Sequence, residues 1–219
     1  MTNTKLEAIL FDLDGVLIDS FESWYQAFTK MLRAFGKKQI SRGTFRARCW
    51  GPDLRHNLAA LQLGEDAAWY VVHEQLKLVG LIELIPGAEE IVRRTREEYK
   101  LKVGLVTNTP RANVDEILDH FKLANHFDAV LTGDDVRKGK PEPELITKAC
   151  ARLAVTPERA VLVGDTRTDF QAGRAAGCLV IGVGANAAGD VQIERLEELF
   201  AVLNGIREVN WDALSRAKA

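Results

Sequence analysis

The stretch that decides the fold is Ile9-Leu10-Phe11-Asp12-Leu13-Asp14-Gly15-Val16-Leu17-Ile18-Asp19-Ser20. With Ala8 before it, the opening is an apolar, β-prone run suited to a buried strand. Asp12 and Asp14 stand two residues apart where that strand should end. In an extended chain such residues project to the same side, and Gly15 then lets the backbone turn sharply. Two carboxylates so placed repel, so a fold keeps the pair with a compensating cation or a shared proton. A hard divalent ion with oxygen ligands, Mg2+ above all, suits the pair. The plainer alternative is a strand followed by an acidic turn.

Working outward, the 219 residues suit one large domain or a domain carrying an insertion. With 47% hydrophobic and 27% charged residues the composition is that of an ordinary globular protein. A formal charge of −2 leaves no electrostatic footprint for nucleic acid or an anionic membrane. No apolar run approaches the length that spans a bilayer, and the N-terminal residues meet acidic side chains before any signal-type hydrophobic region. Cys49, Cys150 and Cys178 are scattered, with no zinc spacing. They are expected to be reduced, packed thiols in a cytoplasmic protein.

After the opening strand, residues 21–35 read as an amphipathic helix, with Trp24, Phe28, Met31, Leu32 and Phe35 at helical spacing and Gly36 ending it. A basic segment, FRARCW, and a break at Gly51-Pro52 follow. Two further helices are expected over 53–63 and 65–79. No strand pattern interrupts the region from Phe21 to about Leu81. Past Pro86-Gly87 the character changes. Helices over 88–98, 111–120, 144–153 and 170–176 alternate with strands over 102–106, 129–131, 160–163 and 179–183. That alternation predicts right-handed βαβ crossovers and a parallel sheet covered on both faces. A last helix is expected over 191–203 with Ile193, Leu196, Leu199 and Phe200 on one face, and Trp211 and Leu214 are expected to dock the tail. Gly182-x-Gly184 lacks the third glycine of a dinucleotide site and reads as a loop. His73, His120 and His126 have no partners at metal-ligand spacing.

In open α/β sheets ligands bind beyond the carboxyl ends of the strands. The first strand ends in Asp12-Leu13-Asp14-Gly15. The second ends in Thr107-Asn108, followed by Thr109-Pro110, where Thr109 is expected as an N-cap with Pro110 at the first helical position. The Thr107 hydroxyl and nearby backbone N–H groups could hold an anion there. Lys140, before Pro141, supplies a compact positive charge suited to phosphate. The fourth strand runs into Gly164-Asp165-Thr166-Arg167-Thr168-Asp169. Each feature alone has an ordinary explanation: a strand end, a solvated lysine, a common turn. Together they fall at one edge of one sheet.

The ordered set DLDGV, TN, KPEPE and GDTRTD resembles the four motifs of the haloacid dehalogenase superfamily, with the phosphoglycolate phosphatase-like subgroup the nearest match. The helical insertion resembles that family's small cap, placed between the first and second motifs. The resemblance implies a doubly wound α/β core (1–18 and 83–219) with a helical cap (19–82). It implies a Mg2+-dependent phosphatase of small phosphate monoesters working through an aspartyl-phosphate. Asp12 would be the nucleophile and Asp14 the general acid and then base. Asp12, the Asp14 carbonyl and Asp165 would hold the metal. Asp169 would lie behind them. Thr107, Asn108 and Lys140 would bind the phosphoryl group.

The resemblance also sorts the alternatives. Asp14 argues against carbon–halogen cleavage. Family phosphomutases carry a cap-linker histidine where this chain has Trp24, which favours hydrolysis over transfer. The cap lysines Lys30, Lys37 and Lys38 stand in no Schiff-base context. A non-enzymatic regulatory member would be expected to have lost a motif residue, and none is lost. For the substrate, Arg46, Arg48, Arg55 and His56, with Trp50 and Asn57, are candidates for reading an anionic leaving group such as that of phosphoglycolate or pyrophosphate. Alternatively they are solvated helix charges, with Trp50 packed inside the cap.

Overall fold

The computed structural model describes residues 6–185 and 187–208. In chain order the elements are β1 (Ala8–Phe11), β2 (Ile18–Asp19), α1 (Phe21–Ala34), α2 (Arg42–Arg48), α3 (Leu54–Ala60), α4 (Glu65–Leu76), β3 (Glu83–Leu84), α5 (Ala88–Glu97), β4 (Lys102–Val106), α6 (Arg111–His120), β5 (Ala129–Leu131), α7 (Glu144–Arg152), β6 (Ala160–Gly164), α8 (Arg167–Ala176), β7 (Leu179–Val183), β8 (Val191–Ile193) and α9 (Leu199–Glu208). Six strands form one parallel sheet in the order β5-β4-β1-β6-β7-β8.

β1 sits in the middle of this sheet, and its burial explains its sequence. Every residue of Ala8–Phe11 is buried. Ile9 and Phe11 join the hydrophobic cluster on one face, while Ala8 and Leu10 join the cluster on the other. A strand covered on both sides needs a continuous apolar run rather than an alternating one. Full burial of a side chain such as Phe11 is worth roughly 1.5–3 kcal/mol. In the register, Phe11 lies beside Leu105 of β4 and Val163 of β6. The residues that follow these three strands therefore emerge side by side at one edge.

The helices α1–α4 are inserted after the first strand and carry their own core of Trp24, Phe28, Met31, Leu32, Phe45 and Val71. The chain enters and leaves this cap through a two-stranded antiparallel ribbon, with Ile18 opposite Leu84 and Asp19 opposite Glu83. Among the described residues no helix is long and apolar enough to cross a membrane.

Two local expectations are corrected, and one unassigned segment is resolved. Residues 191–203 are not one helix: Val191–Ile193 is a strand paired with β7, and α9 begins only at Leu199. Ile193, Leu196 and Leu199 are all buried either way, so their helical spacing did not discriminate. The basic segment after Gly36 contains α2, capped by the Ser41 side chain, which accepts from the Thr44 N–H. Pro110, not Thr109, is the cap of α6, which leaves the Thr109 side chain available for the site below. Trp211 and Leu214 lie outside the described residues.

Candidate active site

Two strand ends and the first turn of α8 converge on a single buried cation, carried by a loop. Lys140 Nζ lies 2.9 Å from Asp12 Oδ1 and donates to Asp169 Oδ1 at 2.6 Å and to the Val106 carbonyl at 3.1 Å. Lys140 is 2% exposed and Asp169 is fully buried. Asp12 continues the β1 pairing, its N–H donating to Val163 O, while its own Oδ1 accepts from the Leu13 N–H at 2.7 Å. Asp169 is fixed by a reciprocal cap at the start of α8. Its Oδ2 accepts from the Thr166 N–H and hydroxyl, and the Thr166 side chain accepts in turn from the Asp169 N–H.

Asp165, at the end of β6, completes the group. Oxygens of Asp12, Asp165 and Asp169 lie within 4.8 Å of one another. Among the described residues the Oδ1 of Asp165 is buried without a hydrogen-bond partner, and its Oδ2 accepts from the Trp50 indole N–H at 3.3 Å. A buried carboxylate oxygen left without a donor is costly unless something else meets it. Gly15 stands directly against it. With φ at +81°, a Cβ there would fall 2.1 Å from Asp165 Oδ2, so both backbone strain and space require glycine. An orphaned oxygen within a set of hard oxygen donors fits a divalent cation.

The crowding of carboxylates is visible in their acidities. Burial, then the charge of Asp169, pushes the Asp165 carboxyl up to about 7. Burial, then Asp169, also raises Asp12, with Lys140 opposing. These shifts describe the site before any cation joins it.

Asp14 has a different environment. Oδ1 accepts from the Ser20 hydroxyl and from the Trp24 indole at 3.1 Å; Oδ2 accepts from Thr109 Oγ1 at 2.6 Å and Thr107 Oγ1 at 3.4 Å. Ser20 and Trp24 belong to the cap entrance, the two threonines to the loop after β4. Asn108 is used structurally. Its side chain accepts from the Lys140 N–H at 2.7 Å and donates to the Lys140 and Gly51 carbonyls at 2.9 and 2.8 Å. That clasp places the lysine and joins the core to the cap loop.

A cavity of about 80 Å³ opens above these groups, lined by Asp12, Asp14, Thr107, Asn108, Lys140 and Asp165 below and by cap residues above. The core residues expected from the sequence are brought together; Asp169 lies behind Lys140, out of the lining. The four cap candidates are not in the lining either. Arg46 lies over the Phe21 ring at 3.9 Å, Arg48 and His56 are exposed, and Arg55 donates to the Gly133 carbonyl at 2.6 Å and that of Val136 at 3.3 Å. Sequence reasoning missed Ser20, Thr109 and Trp50 as partners of site carboxylates. The placement of Ser20 and Trp24 four apart on one helical face, just after Asp14, was the available signal.

Comparison with known proteins gives the family. The haloacid dehalogenase-like hydrolase family model matches residues 9–183, and the chain belongs to that family. Among its relatives are a phosphorylated carbohydrates phosphatase of Thermotoga maritima (30% identical, covering 92% of this chain and 100% of the relative) and a pyrophosphatase PpaX of Anoxybacillus flavithermus (31%, 91% and 97%). A phosphoglycolate phosphatase of Salmonella typhi is 30% identical over 82% of this chain and 81% of the relative. The chain is thus an enzyme of this hydrolase family, and relatives named for three different substrates stand at nearly equal distance from it.

Proposed function

We propose that this hydrolase is a Mg2+-dependent phosphatase of small-molecule phosphate monoesters, acting in the cytoplasm through an aspartyl-phosphate. The observation that carries the reading is the unpartnered Asp165 oxygen beside Asp12 and the buried Lys140. Asp12, Asp165 and the Asp14 backbone carbonyl would hold the cation. When bound, it supplies positive charge against the substrate's phosphoryl oxygens and lets Asp12 ionise.

The chain's own groups then divide the work. The Asp12 carboxylate attacks phosphorus as the bond to the leaving oxygen breaks. Asp14 delivers a proton to that oxygen, then removes one from the water that cleaves the acyl phosphate. Lys140, held by Asp169 and by the Asn108 clasp, offsets the equatorial charge that develops in the transition state. Thr107, with backbone N–H groups of its loop, orients the phosphoryl group. In this reading residues 1–18 with 83–219 form the catalytic core, and 19–82 form the cap that excludes water over the cavity.

A second reading is phosphoryl transfer to an alcohol, as in a phosphomutase. Trp24 speaks against it: an indole N–H can donate to Asp14 but cannot shuttle a proton to an acceptor hydroxyl. Phosphate release from a panel of monoesters, with Mg2+, with chelator and with Asp12→Asn, tests the proposal. Metal-dependent release abolished by Asp12→Asn supports it. Release that survives the substitution would remove Asp12 as nucleophile, and a phosphorylated acceptor in place of inorganic phosphate would favour transfer.

A further inference from the structure

The cavity walls divide by chemistry. The floor holds carboxylates, hydroxyls and Lys140, while the cap contributes a ceiling of Trp24, Phe28, Phe45, Cys49, Trp50 and Leu54. The N–H donors of this ceiling make bonds within the protein. Both indole N–H groups are donated downward, to Asp14 and Asp165, and the Asn57 side-chain amide donates to the Cys49 carbonyl at 2.8 Å.

The basic side chains of the same helices point elsewhere. Arg42 pairs with Glu22 at 2.8 Å, Arg46 lies on Phe21, and Arg55 is bound to carbonyls of the core. No cationic side chain of the cap is in the cavity lining among the described residues. Lys140 is the cation of the floor, and Asp12 and Asp169 already hold it.

This distribution constrains the leaving group. A phosphoryl dianion uses the positive charge that Lys140 and one divalent ion can offer against the floor carboxylates. A second anionic group would have to leave water for the aromatic ceiling with no partner, which is strongly unfavourable. An uncharged group with an apolar face gains instead, from area removed from water and from offset contact with the rings.

Resting on the phosphatase reading above, we propose that the substrate's leaving group is uncharged and presents an apolar or ring face to the cap. The favoured class is monophosphate esters of neutral alcohols or phenols; esters bearing a carboxylate or a second phosphate are poor substrates. Phe28, Phe45, Trp50 and Leu54 set this preference.

The test compares kcat/KM of the full-length protein with Mg2+ for phenyl phosphate, 2-phosphoglycolate and pyrophosphate. Phenyl phosphate should exceed both anionic substrates by about tenfold or more. Leu54→Arg, which puts a cation into the ceiling, should shift the phosphoglycolate-to-phenyl phosphate ratio upward by about tenfold. Cys49→Arg repeats the test at a second ceiling position should the first variant fail to fold. The inference is overturned if either anionic compound matches phenyl phosphate on the unaltered protein, or if a folded arginine variant leaves the ratio unchanged. No release from any of the three would overturn the phosphatase reading and this inference together. Release with the anionic compounds preferred would overturn this inference alone.

Discussion

The ammonium of Lys140 donates to Asp169 Oδ1 at 2.6 Å, with the lysine 2% exposed. Burial by itself lowers a lysine's pKa, but here the charges of Asp12 and then Asp169 reverse that effect and raise it. The lysine is therefore protonated across any useful pH range, and its charge is part of the fold as well as of the proposed chemistry.

Removing that charge should be costly. Lys140→Met leaves Asp12 and Asp169 buried without compensation, and breaking a buried pair from one side typically costs about 3–5 kcal/mol. Urea denaturation in chelator should show a loss of that order, with Mg2+ restoring part of it. A loss below about 1 kcal/mol, the size expected of an exposed pair, would contradict the structural role assigned to this lysine.

Trp24→Phe keeps the ring in the cap core and deletes one donor to Asp14. A hydrogen bond to a charged group contributes about 1.5–3 kcal/mol. If it acts at the proton-transfer step, kcat should fall by about tenfold or more, with Ser20, Thr107 and Thr109 still in place. Steady-state kinetics on one good substrate, with a melting curve as control, checks this. An unchanged kcat would show that the hydroxyl donors suffice.

Metal binding should depend on pH in a defined direction. Without metal the Asp165 carboxyl sits at about 7, against an ordinary value of 3.8. Between these values the folded protein holds a proton that the unfolded chain has lost. The stability contributed by this group is complete at low pH and declines as pH rises through about 7. A cation competes for the same oxygens, so its affinity should rise with pH over the same window. Thermal shifts with and without Mg2+ should show a larger stabilisation at about pH 8 than at about pH 5.5. Equal shifts at both would exclude Asp165 as the titrating ligand.

The cap arginines separate by what they touch. Arg46→Ala and Arg48→Ala alter exposed side chains away from the cavity, and each should change kcat/KM by less than about twofold, in line with ordinary surface substitutions. Arg55→Ala removes the bonds to the Gly133 and Val136 carbonyls and should raise KM several-fold by loosening the cap. A large kcat/KM loss at Arg46 or Arg48, in a correctly folded variant, would put those side chains over the substrate.

The sheet and its polar edge were legible because local signals there agree. The apolar run Ala8–Phe11 demands two-sided cover, and Asp12, Thr107 and Asp165 each follow such a run. The floor of the cavity could thus be read residue by residue. Side-chain direction in the cap could not. Arg46 and Trp50 are four residues apart in a short segment, yet one stacks on Phe21 at the surface and the other reaches Asp165. Which of them faces the cavity is set by how α2 packs on α1, a long-range contact that spacing does not encode. The same holds for Val191–Ile193, where an edge strand replaced an expected helical turn because β7 offered it a partner.

Asp14 takes two of its donors, Ser20 and Trp24, from the cap side, and two, Thr107 and Thr109, from the core. The carboxylate is thus a joint with one hand on each body. On the proposed reading, rotating the cap away from the core would pull on one pair or the other, and Asp14, as the proposed acid, would lose its aim at that moment. Capture and chemistry would then be interlocked by a single side chain. A phosphate ester entering the open floor, without a body to bring the ceiling down on it, would meet the proposed nucleophile but no aligned acid.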